Sequence, residues 1–447
     1  MELQHVATGN PAQDAMTVLA GLPDAADQGQ AVDRLQQLEQ AKRMLAAAQA
    51  EATHTFLAFR EAEERDLRIP QSQHLQGLEA EVGLARGESP YVGGALTLLA
   101  RALHTVLPNT RAALRSGRVS EYHARLVAEH TNHLRDAHRR EIDAAIARRL
   151  GTASSSQLRK LIEGHAYRLD RQAAEDRANQ NTARRRVCLA PASDNQVYVT
   201  AELPTPEGLA VMESLETRAR QRQAAHRAFN PDGESLGREQ VMTDLFVELL
   251  TGQTTARGVT AEIVVVMQDS TVFGDDDLPA WIMGHGPIPA GTAKDWLADP
   301  EARKFLRRMY TRPTDGQLVA LESSRRCFPD GLAKMLRLRD DTCRTPWCNS
   351  SVQDADHRTP WAAGGATSWQ NATGLCKRCN QRKEHRGWTY SGSPDELTVT
   401  TPTGHAYTVP TRPPLSEIAS WNSDPPPLNT TIDIGLPAAS VIWAEAA

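Results

Sequence analysis

The stretch CRTPWCNSSVQDADHRTPWAAGGATSWQNATGLCKRCNQRKEHRGW, running from Cys343 to Trp388, holds four of the chain's six cysteines. Four residues separate Cys343 from Cys348 and two separate Cys376 from Cys379, and the whole set lies within 37 positions. Paired short spacings let two loops each present two thiolates to one tetrahedral Zn2+, with every coordination position filled by protein. Such a closed site is structural, and its binding energy is folding energy. The i, i+3 spacing of Cys376 and Cys379 predicts a helix starting near Leu375 that aims both sulfurs the same way. Cys188 and Cys327 are isolated and read as small buried hydrophobes.

Asp356, His357 and Asn371 lie between the two pairs, and Asn380 directly follows the fourth cysteine. Hydrolysis of a phosphodiester requires a base for the water and a cation for the charge on phosphate and leaving oxygen. His357 suits the base, being neutral near neutral pH and able to accept a proton. Asp356 and Asn380 offer hard oxygens of the kind that hold Mg2+ or Mn2+. Asn371 could hold the ends of the intervening loop and orient the imidazole through its amide. Arg358, Lys377, Arg378, Arg382 and Lys383 supply positive charge for backbone phosphates. His385, five residues past Asn380 on a helix, points about 140° away from it.

Taken together, CRTPWC…DADHRTPWAAGGATSWQNATGLCKRCNQRKEHRGW resembles the HNH endonuclease family, whose ββα-metal motif runs strand, loop, strand, helix. The separations of 14 residues from His357 to Asn371 and 9 from Asn371 to Asn380 match the family's spacing. Asn380 occupies the third position, an H-N-N variant. The resemblance implies that His357 activates water, Asn371 braces the loop, and Asp356 and Asn380 hold one catalytic divalent ion (Mg2+, Mn2+ or Ni2+). Gly364-Gly365 falls where the family's loop turns. It further implies DNA cleavage leaving 5′-phosphate and 3′-hydroxyl ends. Upstream, RRCFPDGLAKMLRLRDDTC after a long helical region looks like actinobacterial HNH proteins with a large N-terminal domain of unknown function. A second reading is a zinc-ribbon DNA-binding protein that does not cleave.

The chain's net charge of −5 argues against a nucleic-acid partner, but its distribution argues for one. Gly331–Tyr390 carries ten Lys or Arg against five Asp or Glu, a local +5 in an otherwise acidic chain. A basic island of this kind is the footprint of a phosphate-binding surface. Elsewhere the charge runs are read as solvated: Arg184-Arg185-Arg186 as an exposed face, Asp275-Asp276-Asp277 as a loop. The remaining histidines are scattered and expected to face solvent.

At 447 residues the chain exceeds one ordinary core. Residues 1–26 read as a loose lead-in, and 27–325 as a mostly α region with a small α+β part and a sub-boundary near 180. Residues 326–410 form the nuclease module, and 411–447, with Pro425-Pro426-Pro427, a tail expected to be at least partly disordered. Helices are predicted over Gln30–Arg65 with an apolar stripe of Val32, Leu35, Leu38, Leu45 and Phe56, after Pro90, and behind caps at Ser120 and Ser156. Strands are predicted at Arg186–Leu189 and Val197–Ala201 around Ser193-Asp194-Asn195, and over Val259–Met267; Pro206 and Glu239 open further helices. The N-terminal region is a candidate interaction or homodimer surface. No apolar run reaches the roughly 18 residues of a membrane span. The N-terminus carries no export pattern, so a reducing, cytoplasmic location is expected.

Overall fold

The structure is a computed structural model and describes residues 10–194, 196–229, 237–252, 264–268, 271–272, 276–298, 322–323 and 327–410. The expected tail over 411–447, Asp275, Asn195, the 326 boundary and most of the Val259–Met267 run lie outside the described residues. By compactness the chain divides into two units, Met1–Arg184 and Arg185–Ala447.

The first unit is helical. Its longest helix, Gln28–Asp66, starts at Asp27, whose carboxylate accepts from Gln30 N at 2.8 Å. Behind it come helices Leu78–Ala85, Pro90–Thr105, Pro108–Arg115, Glu121–Thr131, Asp136–Ile146, Ser155–Leu169 and Arg171–Ala183. Leu99, Leu103, Leu114, Val127, Ile142, Ile146, Leu158 and Ile162 form one contiguous core. Helices Leu78–Ala85 and Pro90–Thr105 approach so closely that a Cβ on Gly93 would overlap the carbonyl of Glu79. Helix Pro108–Arg115 has Leu107 at its N-cap, which offers no side-chain acceptor. Fully buried Asp143 serves instead, accepting from Asn109 N at 2.7 Å and Thr110 N at 3.0 Å. A carboxylate there meets both the orphan N–H groups and the positive end of the helix.

Several sequence expectations are corrected here. A helix, Pro11–Ala20, occupies part of the lead-in, capped by Asn10. Ser120 does cap its helix, but the helix Ser155–Leu169 is capped two residues earlier than expected, by Ser154, which makes a capping box with Gln157. Most of the stripe on the long helix is not its buried face: Val32, Leu35, Leu38 and Leu45 are exposed and only Phe56 packs against a core, while Ala46, Ala47, Ala50 and Leu57 are buried. Small residues win because neighbouring helices come close, and alanine carries little periodic hydrophobic signal. The histidines are not uniformly solvent-facing either. His54 and His104 stack at 3.8 Å, and His104 Nε2 pairs with Glu51 at 2.9 Å.

In the second unit an antiparallel hairpin, Arg186–Pro191 with Val197–Glu202, leads to helices Thr205–Phe229 and Arg238–Thr251, joined through Leu215, Ala219, Val241 and Leu245. A small sheet, Val265–Val266, Ala280–Ile282 and Gly286–Ile288, follows, then helix Ala290–Ala298. Cys188 is exposed on the hairpin and Cys327 is exposed too, so neither is the buried hydrophobe expected. The nuclease-like segment is built from helix Asp330–Asp340, antiparallel strands Asp354–His357 and Ala372–Leu375, and helix Lys377–Lys383. A three-stranded antiparallel sheet, Thr389–Gly392, Glu396–Thr400 and Ala406–Pro410, closes it. Asp341 ties this module to the small sheet by accepting from Gly284 N at 2.6 Å.

Candidate metal centre and adjoining acid–base site

Cys343 and Cys348 flank a tight turn in which Cys348 N donates to Thr345 O at 3.0 Å and Trp347 takes a positive φ of 58°. Cys376 sits at the N-cap of helix Lys377–Lys383, with Cys379 in its first turn. The four buried Sγ atoms lie within 4.8 Å of one another, with Cys348 3.9 Å from Cys376 and 3.8 Å from Cys379. A tetrahedron with Zn–S bonds of about 2.3 Å has sulfurs about 3.8 Å apart, so the group could hold a metal such as zinc. Contact with Cys343 lowers the thiols of Cys376 and Cys348, the latter to about 6, while contact with Cys348 raises Cys343 itself. Four thiolates this close repel, so ionising all of them requires a cation in their midst. Arg382 adds positive charge from outside, donating to Cys379 Sγ at 3.9 Å. Among the described residues, no other group of three or more His, Cys, Asp or Glu side chains is placed to share an ion.

His357 ends the strand Asp354–His357 and is 7% exposed. Its Nε2 bonds Thr367 Oγ1 at 2.7 Å, and its ring packs 4.5 Å from Phe328 and 6.0 Å from Trp361. Asn371 spans the loop between the strands. Its Oδ1 accepts from Thr359 N at 2.8 Å, and its Nδ2 donates to Thr359 O at 3.0 Å and Ala366 O at 2.9 Å. Gly364 takes φ +85°, and a Cβ on Gly365 would overlap Thr359 O, so glycine is what lets this loop close. The amide of Asn371 is thus engaged with loop backbone, whereas the imidazole is oriented by Thr367.

The acidic and amide side chains pair differently from the expected ion-holding arrangement. Asn380 Nδ2 donates to Asp354 Oδ2 at 2.9 Å, and Asp356 Oδ2 takes the ammonium of Lys383, which also donates to the His357 carbonyl. Asp354 was not singled out from sequence, although its i, i+2 relation to Asp356 in a strand places both on one face. Lys383, three residues past Asn380 on the helix, shares its face by the same kind of rule. Nothing local to Thr367 announces its part, because the contact crosses the loop.

The five expected phosphate ligands also separate. Lys377 and Arg378 are exposed, Lys377 lying 3.7 Å from Asp354. Arg358, Arg382 and Lys383 are buried. Burial drives the Arg358 guanidinium down to about 10, and Arg344 likewise to about 10. Arg339 is fully engaged, bonding Asp340 at 2.6 Å and the carbonyls of Trp369 and Ala372, with its guanidinium 4.6 Å over the Trp369 ring.

The chain is 32% identical over 134 residues to the uncharacterized protein Rv3776 of Mycobacterium tuberculosis, covering 29% of this chain and 24% of that protein. It is 37% identical over 81 residues to the uncharacterized protein Rv2100 of the same species, covering 17% of this chain and 14% of that one. The matched segments thus span a quarter or less of these curated relatives. No solved structure matches. The family model described as HNH endonuclease matches residues 343–386, from the first cysteine of the frame past the helix that carries Asn380 and Lys383. The chain therefore carries an HNH endonuclease domain in its C-terminal region.

Proposed function

We propose that the C-terminal module hydrolyses DNA phosphodiester bonds, with His357 as general base and zinc in the four-cysteine frame. The observation that supports this most directly is a braced His357: strand-borne, held at Nε2 by Thr367 and set beside a loop that Asn371 closes. A divalent ion (Mg2+, Mn2+ or Ni2+) held by Asp356 and Asn380 would neutralise charge on the phosphate and the leaving 3′ oxygen. Taking up that charge requires the Lys383 ammonium to move off Asp356 or to share it. His357 takes a proton from the attacking water, Thr367 keeps the ring in place, and Lys377 and Arg378 contact flanking phosphates. A reducing cytoplasm suits the thiolate frame. Among the described residues no helix is long and apolar enough to cross a membrane.

The test is nicking of supercoiled plasmid by the full chain with Mg2+, Mn2+ or Ni2+, beside His357→Ala. Metal-dependent nicking, reduced at least a hundredfold or so in the variant, is expected. A wild type that binds DNA but never nicks it points to the second reading, a zinc-ribbon binder. One feature favours that alternative: Lys383 already neutralises Asp356, leaving the carboxylate paired.

A further inference from the structure

Arg339 bonds the carboxylate of Asp340, a fully buried side chain, and Arg344 approaches it, while the charges of Asp340 and Arg339 also act on the Arg358 guanidinium. Arg339 saturates that carboxylate through Nε and Nη2, at 2.6 and 2.9 Å, and Asp340 Oδ2 also accepts from Gly374 N at 2.6 Å. Arg344 reaches it only through Nε, at 4.0 Å. Arg344 is 6% exposed and Arg358 5%, yet among the described residues Nη1 and Nη2 of Arg344 and Nη1 of Arg358 are buried without a hydrogen-bond partner. Asp395, the next carboxylate whose charge reaches both guanidiniums, is exposed and forms no ion pair with either among the described residues. Like charges taken out of water and left unpaired are strongly unfavourable, so the arrangement calls for an anion.

We propose that Arg344 and Arg358 form a built phosphate site that holds a backbone phosphate of the nucleic acid. This rests on the nuclease reading and deepens it. Two guanidinium edges can share the oxygens of one tetrahedral oxyanion, which an isolated carboxylate partner would not fill. Both arginines are positioned by the site already described. Arg344 follows zinc-frame Cys343 and is pinned by its N–H to Gly374 O at 3.0 Å. Arg358 directly follows His357, and its N–H donates to Asn371 O at 2.7 Å. Anchor and base therefore share one segment of backbone, and the anchored phosphate sets the register of the strand on the module.

The test uses the zinc-loaded full chain, wild type beside Arg344→Gln and Arg358→Gln. Melting is compared in sodium phosphate and sodium chloride at equal ionic strength. Duplex DNA binding is measured by anisotropy across a salt series without added divalent ion, so the result does not depend on cleavage. Wild type is expected to melt higher in phosphate. Each variant should match or exceed wild type in chloride, because an unpaired buried charge is gone, and should lose the phosphate increment. Each should also bind DNA about tenfold more weakly, with the slope of log affinity against log salt reduced by about one. A phosphate increment lost in the variants with DNA binding and slope unchanged supports the site but overturns the nucleic-acid source in favour of free phosphate. No phosphate-specific increment in wild type overturns the site, even if a variant fails to fold. So do variants that melt lower in chloride yet keep the increment. Absent plasmid nicking alongside the expected binding results leaves the phosphate site standing and counts against catalysis alone.

Discussion

At the scale of single residues, much of this chain's polar chemistry is decided by a few buried groups that hold others in place. Thr367 is one: its hydroxyl meets His357 Nε2 at 2.7 Å, and Thr367→Val removes that bond. Plasmid nicking by this variant is expected to fall by up to about a hundredfold, while the DNA-binding salt slope stays the same. A variant that nicks normally would show that the hydroxyl does not orient the base. Asp143 plays the corresponding part in the helical unit, capping Pro108–Arg115 from a distance. Asp143→Ala strands two backbone N–H groups, and chemical denaturation should record a loss of about 3 kcal/mol. An unchanged midpoint would mean that water replaces the carboxylate at no cost.

At the scale of elements, a zinc ion in the four-cysteine frame would allow two four-residue strands and a seven-residue helix to stand as a module. Structural zinc contributes about 10–16 kcal/mol, as much as the roughly 5–15 kcal/mol of net stability of a whole domain. Without the metal these short elements should therefore not hold together. The purified chain is expected to carry one zinc, measured by elemental analysis. Cys379→Ser should lose it, along with the cooperative unfolding of the module followed by tryptophan fluorescence. Retained folding in a zinc-free sample would contradict this. The ββα order was legible beforehand only through the HNH resemblance, whose cysteine pairs and His357–Asn371–Asn380 spacing are local patterns. The pairings of Asn380 with Asp354 and of Lys383 with Asp356 were not, since each joins a helix to a strand across 26 or 27 residues.

For the whole molecule, the helical unit carries its own acid sensitivity. Burial is the leading cause that lowers His54, His130 and His133 below the ordinary 6.5, helped by nearby positive charge. The folded chain therefore binds fewer protons than the unfolded one below pH 6.5, and stability is lost as pH falls from there through the folded values. Well above pH 6.5 these groups are neutral in both states and contribute no slope. Glu51 adds loss at lower pH: burial tends to raise it, but hydrogen bonds from Arg111 and His104 outweigh that and hold it below 4.5. Urea midpoints followed by helical circular dichroism should be flat above about pH 7.5, start to fall as pH nears 6.5 and be clearly lower at pH 5.5. The double variant His130→Gln/His133→Gln should lessen that fall. An equal fall in the variant would assign the sensitivity elsewhere, for instance to acid release of zinc by the cysteine frame.

By itself, the sequence determined where the clustered thiols lie, which segment is HNH-like, and that the region ahead of it is mostly helical. Those are properties of spacing and periodicity, and they survive without knowledge of what packs against what. Tertiary structure alone decided which charges are available. Arg358, Arg382 and Lys383 look like surface cations in a basic stretch, yet burial turns one into the counter-ion of Asp356, sets another against a zinc-frame sulfur, and leaves Arg358 with Arg344 in want of an anion. The physical reason is that a side chain's charge is written in the sequence, whereas its solvation depends on neighbours far along the chain.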